Sequence, residues 1–168
     1  MRILGIDPGI GITGWSIVQT TGNSTLLLEA AGIISTTPNS VTHHRLVTIY
    51  SQMTQLIQRF QPTELAIEKL FFAKNVTTAM AVSQARGVVL LAGAQSQLPI
   101  FEYTPLQVKM TITGYGKATK QQVNAMLSHH IKGATIPKQD DAADAIAIAI
   151  THLASAPFVR KQGGLCHS

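Results

Sequence analysis

Apolar and polar positions at the start of this 168-residue chain follow the pattern of β-strands. An aliphatic run over residues 2–7 stops at Asp7, directly before a Pro-Gly pair, which is typical of a buried strand that ends in a turn. Residues 13–19 and 26–35 are rich in β-forming residues and are separated by a Thr-Gly-Asn turn signal. The opening therefore predicts a meander of three antiparallel strands.

Helical and strand-like patterns alternate over the rest of the chain. Apolar residues recur at helical spacing over residues 41–60, and Pro62 follows the end of that helix. The elements predicted after it are a strand over 64–68, a helix over 77–96, a strand over 99–103, a short helix after Pro105, a helix over 119–131 and a helix over 140–155. This order predicts an α/β fold, in which a mixed five-stranded sheet carries helices on both faces.

The length suits one domain with a core of its own. We predict a single domain over residues 1–156 and a disordered C-terminal tail over residues 157–168. Cys166 is the only cysteine, which excludes an intrachain disulfide and a thiolate cage around a metal. The start carries no signal-peptide pattern, and no apolar run is long enough to span a bilayer, so we expect a cytoplasmic protein.

The charge balance points to a class of partner. The chain has 13 Lys and Arg against 8 Asp and Glu, which gives a formal net charge of +5. Such a balance favours a polyanion, because Lys and Arg that neutralise phosphates supply most of the non-specific affinity for nucleic acid. A mildly basic protein without such a partner remains the alternative.

Five of the few acidic residues fall at the ends of predicted elements. Asp7 and Glu68 close two strands, whereas Asp140, Asp141 and Asp144 open the last helix. Functional groups of open α/β sheets collect beyond the carboxyl ends of the strands, and a spacing of three residues places Asp141 and Asp144 on one helical face. Four carboxylates from two strands and one helix would suit Mg²⁺, and two such ions roughly 4 Å apart can activate water and stabilise a leaving oxygen.

Each carboxylate also has a structural interpretation. Asp7 before Pro-Gly is a common turn residue, and Glu68 is compatible with an ion pair at the edge of a sheet. The three aspartates near residue 140 are compatible with capping a helix N-terminus. From the residues alone, both interpretations remain open.

A glycine motif near the start matches a familiar fingerprint. Residues 9–14 fit the dinucleotide-binding pattern G-x-G-x-x-G, but that motif needs a helix directly after the glycines. Here the chain continues as a strand. We therefore interpret the glycines as a tight turn between strands that leaves space beside Asp7 for a phosphodiester.

Five motifs occur in order over about residues 1–155, and together they resemble the RuvC family of Holliday junction resolvases. They are Gly5-Ile6-Asp7-Pro8-Gly9, Ile67-Glu68 with Phe71-Phe72-Ala73-Lys74-Asn75, Gln84-Ala85-Arg86-Gly87, Tyr103-Thr104-Pro105 with Val108-Lys109, and Asp141-Ala142-Ala143-Asp144-Ala145. The resemblance implies an RNase H-like fold and a homodimer that binds four-way junction DNA in recombination and repair. It also implies two symmetric, metal-dependent cuts that leave 5′-phosphate and 3′-hydroxyl ends.

The resemblance also assigns residues, cofactors and partners. Asp7, Glu68, Asp141 and Asp144 match the catalytic, metal-binding carboxylates, whereas Asp140 matches none and is assigned to helix capping or to support of the site. Mg²⁺ is the implied cofactor, with two ions in each active site and Mn²⁺ as a substitute. The branch-migration proteins RuvA and RuvB are the implied partners.

Further residues are assigned to DNA contact. Phe71 matches an aromatic residue that inserts between bases at the junction centre, although Phe72 is an alternative. Lys109 and Lys120 match positions that contact DNA near the scissile phosphate. The weaker candidates for contact with the DNA backbone are Lys74, Arg86 and Lys117, for which a solvated surface position is the alternative.

Other functions are compatible with parts of the sequence. Residues 80–94 suit either a helix that packs across a dimer axis or an ordinary core helix. A non-catalytic junction-binding module would not need all four carboxylates. A ribonuclease acting on RNA–DNA hybrids would share the fold and the metal chemistry, and an ATP-binding subdomain would need a second phosphate-binding hairpin.

Overall fold

The computed structural model describes residues 1–21, 25–70, 76–132 and 135–161, without the side chains of residues 76–78 and 156–161. Within these ranges the strands are β1 (Arg2–Asp7), β2 (Ile12–Thr20), β3 (Leu26–Ser35), β4 (Glu64–Glu68), β5 (Ile100–Tyr103) and β6 (Ile131–Lys132). The helices are α1 (Thr42–Phe60), α2 (Val76–Gln95), α3 (Pro105–Thr113), α4 (Lys120–His130) and α5 (Asp140–Lys161).

The strands form one mixed sheet in the order β5-β4-β1-β2-β3-β6. The pairs β1–β2 and β2–β3 are antiparallel, as the predicted meander requires, and the other three pairs are parallel. The predicted mixed sheet is confirmed, but its count of five strands is too low by one. The additional strand, β6, has only two residues, and it pairs with Leu26 and Leu27. A strand this short shows no alternation, so the sequence placed Ile131 in the preceding helix.

Alternation along the central strand β1 divides the core between the two faces of the sheet. Leu4 and Ile6 belong to the core under α1 and α2, whereas Ile3 belongs to the core under α3, α4 and α5. The predicted helices on both faces are therefore confirmed. Asp7 shares the parity of Ile3, and Glu68 in β4 shares the parity of Ala66, which also lies in the α5 core. Both acids thus belong to the α5 face.

Two capping boxes define the starts of the helices that border this face. Thr104 accepts a hydrogen bond from the Gln107 backbone at the start of α3, and Thr119 does the same for Gln122 at the start of α4. In each case the glutamine side chain bonds back to the backbone of the capping threonine. These caps place Lys120 in the first turn of α4.

Helix α5 extends beyond its predicted end near Ser155. It continues to Lys161, so residues 157–161 of the predicted tail are helical, and residues 162–168 lie outside the described residues. In the part of the chain that the structure describes, no helix combines the length and the apolar character needed to cross a bilayer.

Candidate active site

Two neighbouring parallel strands carry the first two predicted acids to one point. The register pairs Ile6 of β1 with Ile67 of β4, so Asp7 and Glu68 are adjacent at the carboxyl ends of these strands. Their side chains are hydrogen-bonded to each other. Asp141 and Asp144, in the first turns of α5, lie close enough to act electrostatically on Asp7. The structure therefore brings together all four carboxylates that the sequence selected.

Burial and mutual repulsion raise the pKa values of carboxyl groups in this cluster. Burial, together with the charges of Glu68, Asp144 and Asp141, raises the pKa of Asp7 from 3.8 to about 7, and burial is the largest cause. Burial is also the largest cause of the raised pKa of Glu68 and of Asp144. These carboxyl groups therefore release their protons at a higher pH than ordinary carboxyl groups do.

A lysine from α4 offsets part of the negative charge. Lys120 Nζ lies 2.8 Å from Asp144 Oδ2 and 3.5 Å from Asp140 Oδ2. Partial burial lowers the pKa of Lys120, but the hydrogen bond and the charge of Asp144 outweigh it, so the net shift is upward. Asp140 is the first residue of α5 and its side chain is mostly exposed, which places it at the outer edge of the site.

The donor set suits a hard divalent cation. All four acids offer oxygen ligands, and the raised pKa of Asp7 marks the excess negative charge that a cation would balance. As the side chains stand, no three Asp, Glu, His or Cys residues among those described are close enough to hold one ion together. Lys120 forms an ion pair with Asp144 in this arrangement. The side chains must therefore move before the acids can share a cation.

A cleft of about 190 Å³ opens beside the acids. Two of the acids, Glu68 and Asp144, line it together with Lys109 and Lys120. Its remaining wall is apolar and consists of Pro105, Val108, Val123 and Ile148. Lys109 is near enough to lower the pKa of Glu68 by its charge. Anionic and cationic groups therefore meet at one opening, as binding a phosphodiester and metal ions together would require.

The other predicted DNA-contact residues fall into three situations. Lys117 is exposed in the loop before α4. Arg86 is ion-paired with Glu102, its side chain is only 15% exposed, and its Nε donates to the Glu68 carbonyl oxygen at 3.4 Å. This placement favours support of the Glu68 backbone over contact with a DNA phosphate. Phe71, Phe72 and Lys74 lie outside the described residues, so their roles stay predictions.

One residue of the glycine motif has a role that the sequence interpretation missed. Gly14 lies inside β2 and not in the turn, and a Cβ atom there would overlap the carbonyl oxygen of Asp141. The start of α5 can approach β1 and β2 only because this position has no side chain. Glycine inside a strand pattern indicates such a close approach, and that signal was present in the sequence.

Comparisons with known proteins agree with this geometry. The family model of crossover junction endodeoxyribonuclease RuvC matches residues 3–152. Proteins of that name from Finegoldia magna and a Roseiflexus species are 48% and 45% identical, over 94% and 95% of this chain and 96% and 95% of theirs. A solved structure of Thermus thermophilus RuvC in complex with a Holliday junction substrate is 32% identical, with a TM-score of 0.86 and 96% coverage of both chains. The chain therefore belongs to the RuvC family of crossover junction endodeoxyribonucleases.

Proposed function

We propose that this nuclease resolves four-way DNA junctions in recombination and repair by two symmetric, metal-dependent cuts. The observation that carries the proposal is the convergence of Asp7, Glu68, Asp141 and Asp144 beside a cleft that also presents Lys109 and Lys120. The Thermus thermophilus relative, which shares the fold over nearly its whole length, was solved with a Holliday junction substrate.

The proposed reaction is hydrolysis of one phosphodiester in each of two strands. Water attacks phosphorus and the bond to the 3′ oxygen breaks, which leaves a 5′-phosphate and a 3′-hydroxyl that a ligase can rejoin. Mg²⁺, two ions in each site with Mn²⁺ as a substitute, would activate the water and balance the charge of the transition state.

The chain's own groups divide the remaining work. In this proposal Asp7 and Glu68 hold the metal from the sheet, and Asp144 and Asp141 hold it from α5; their mutual electrostatic effects support this role. Lys109 and Lys120 bind the scissile phosphate, a role supported by their position in the lining of the cleft beside the acids. Lys120 would exchange Asp144 for the phosphate when DNA enters, because both are anionic partners for the same ammonium group.

A homodimer is part of the proposal, because two opposed cuts need two active sites. The inner face of α2 is buried through Ala85, Val89 and Ala92. Its outer face exposes a stripe that runs through Met80, Gln84, Gly87, Leu91 and Ala94. Alternating steps of four and three residues are the spacing of helices that pack side by side along a seam. Met80 and Leu91 are 63% and 51% exposed, so the stripe offers apolar surface to a partner helix.

The dimer proposal has a direct test. We expect Leu91→Glu to place a charge in the seam and to convert the protein from dimer to monomer, as measured by sedimentation or light scattering. A matched control is Val47→Glu, since Val47 is 61% exposed and lies on α1 instead of α2. A variant Leu91→Glu that stays dimeric would exclude the α2 seam.

The remaining proposals concern the setting of the enzyme. RuvA and RuvB are the partners that the family resemblance implies, because a resolvase acts on junctions that branch migration moves. Chromosomal junctions of a bacterial cell lie in its cytoplasm, and we propose that compartment for the protein.

One experiment tests the activity. Purified protein is incubated with a mobile four-way junction, a linear duplex and an RNA–DNA hybrid, with and without Mg²⁺. We expect paired, ligatable nicks in the junction alone, only with the metal, and none from Asp7→Asn. Tight binding without cuts under any divalent ion would indicate a non-catalytic junction-binding module. Cleavage of the hybrid would instead indicate a ribonuclease.

A further inference from the structure

A hydrogen-bonded chain of three buried polar side chains lies under α5 and includes none of the four carboxylates. Tyr103 Oη lies 2.7 Å from His152 Nδ1, and His152 Nε2 is paired with Glu64. Tyr103, His152 and Glu64 are 4%, 0% and 8% exposed. Burying three polar groups is costly unless all are paired, and a chain of apolar residues would fill this space without that cost. The arrangement therefore calls for a reason beyond packing.

The histidine is held at both ring nitrogens. Tyr103 Oη is hydrogen-bonded to His152 Nδ1, and His152 Nε2 is paired with Glu64. Burial raises the pKa of Tyr103 to about 12, so its phenol keeps its proton. The ring of Phe101 packs against the imidazole with centroids 4.5 Å apart. His152 is thus held from both nitrogens and from one ring face, so its orientation is defined.

These three residues connect the two parts of the structure that carry the acids. Glu64 begins β4 and Glu68 ends it, while Tyr103 ends β5 directly opposite Glu68 in the register. The backbone of Tyr103 also accepts a hydrogen bond from Lys69 N at 2.8 Å, one residue beyond Glu68. His152 lies on α5, about two turns after Asp144. The chain of hydrogen bonds therefore ties the β4–β5 edge to the helix that bears Asp141 and Asp144.

The other end of α5 is fixed to the neighbouring strands by a different kind of contact. Ser16 Oγ donates to the Ala145 carbonyl oxygen at 2.9 Å, and Cβ atoms at Gly5 and Gly14 would overlap the carbonyls of Ala145 and Asp141. These contacts set α5 against β1 and β2, which carry Asp7 but not Glu68. The chain from Tyr103 to Glu64 adds a direct polar tie between α5 and the strands β4 and β5, beside the pairing of β4 with β1.

We propose that Tyr103, His152 and Glu64 are positioning residues that hold Glu68 at the correct distance from Asp144 and Asp141 for shared metal binding. The inference rests on the proposed metal-binding role of these carboxylates. Residues that orient metal ligands from behind commonly contribute about tenfold or more to metal affinity or activity.

The test compares two single-group deletions. Tyr103→Phe removes the hydroxyl that bonds to His152 and keeps the ring. Thr151→Val is the matched control, because Thr151 is fully buried on the same helix and, among the described residues, its hydroxyl donates to the Ala147 carbonyl at 2.8 Å, within α5 itself. For each variant we would measure Tm, junction affinity without divalent ions, Mn²⁺ binding to the DNA-free protein and single-turnover cleavage across a metal titration.

We expect Tm to fall by a similar amount in both variants and junction affinity to stay unchanged. Tyr103→Phe alone should weaken Mn²⁺ binding by about tenfold, with cleavage reduced in parallel at limiting metal and restored at saturating metal. His152→Gln, which keeps a donor toward Glu64, should show a smaller loss than His152→Leu. It serves as the second variant if Tyr103→Phe does not fold. Equal Mn²⁺ affinities in Tyr103→Phe and Thr151→Val would overturn the positioning role.

Two further variants separate this outcome from failure of the proposed site. Glu68→Gln and Asp144→Asn should lose Mn²⁺ binding and cleavage while they retain junction affinity. If both keep full metal binding and cleavage, the carboxylate site itself is wrong. If both lose them and Tyr103→Phe behaves like Thr151→Val, only the positioning role is wrong.

Discussion

Each face of the sheet buries an apolar core, but the two faces differ in what else they bury. The core under α1 and α2 consists of aliphatic, methionine and aromatic side chains such as Leu4, Met53 and Phe60. The core under α3, α4 and α5 also contains the hydrogen-bonded side chains of Tyr103, His152 and Glu64, and it borders the four acids. The comparison indicates that the first face mainly stabilises the fold. The second face also carries carboxylates whose mutual repulsion is unfavourable for stability but which the proposed reaction needs.

Substituting one residue on each face should produce the largest contrast. We expect Asp7→Asn to abolish cleavage and to raise Tm at pH 8 in the absence of metal, because it removes a buried charge that its neighbours repel. Met53→Ala, in the fully buried core of the other face, should lower the free energy of unfolding by about 2–5 kcal/mol and leave the cleavage rate of folded enzyme unchanged. Calorimetry and single-turnover assays would check both, and a stabilising Met53→Ala or a cleaving Asp7→Asn would break the division.

Removing the cation at the mouth of the cleft should have the next largest effect. Lys120→Ala removes the ammonium beside Asp144, so we expect slower cleavage and a salt dependence of junction affinity that is shallower by about one unit. Lys109→Ala should act in the same direction. Unaltered salt dependence in both variants would argue against phosphate contact by these lysines.

The pH dependence of stability should also distinguish the faces. The folded-state pKa of Asp7 is about 7 against an ordinary 3.8, so the folded state binds more protons than the unfolded state in that interval. This residue therefore lowers stability progressively as the pH rises from about 4 to about 7, and the loss is complete above it. Tm measured against pH in a chelator should fall more steeply for the parent protein than for Asp7→Asn. Parallel profiles would contradict the raised pKa.

The smallest expected effect concerns Arg86. Because its partner Glu102 is partly exposed, we expect Arg86→Gln to cost about 0–1 kcal/mol of stability. Junction affinity should not change if the side chain supports the Glu68 backbone. A reduced salt dependence of binding would instead restore the contact with a DNA phosphate that the sequence predicted.

The sequence by itself determined the parts of this protein that depend on local periodicity. Alternation and turn signals identified β1 to β5, and helical spacing identified the helices, because both patterns span only a few residues. The ends of β1 and β4 then located Asp7 and Glu68, and a step of three residues placed Asp141 beside Asp144. The ordered motifs identified the family for the same reason, since they need no knowledge of contacts.

Tertiary structure alone decided the features that join distant segments. The two-residue β6 exists because β3 offers it a free edge, and Gly14 is required because the backbone of α5, more than 120 residues later, approaches it. Arg86 pairs with Glu102 only after α2 packs beside β5. Tyr103, His152 and Glu64 are separated by up to 88 residues, and their hydrogen bonds form once helix and strands meet. These partners depend on which faces of the helices and strands pack together. A pattern over a few neighbouring residues does not contain that information.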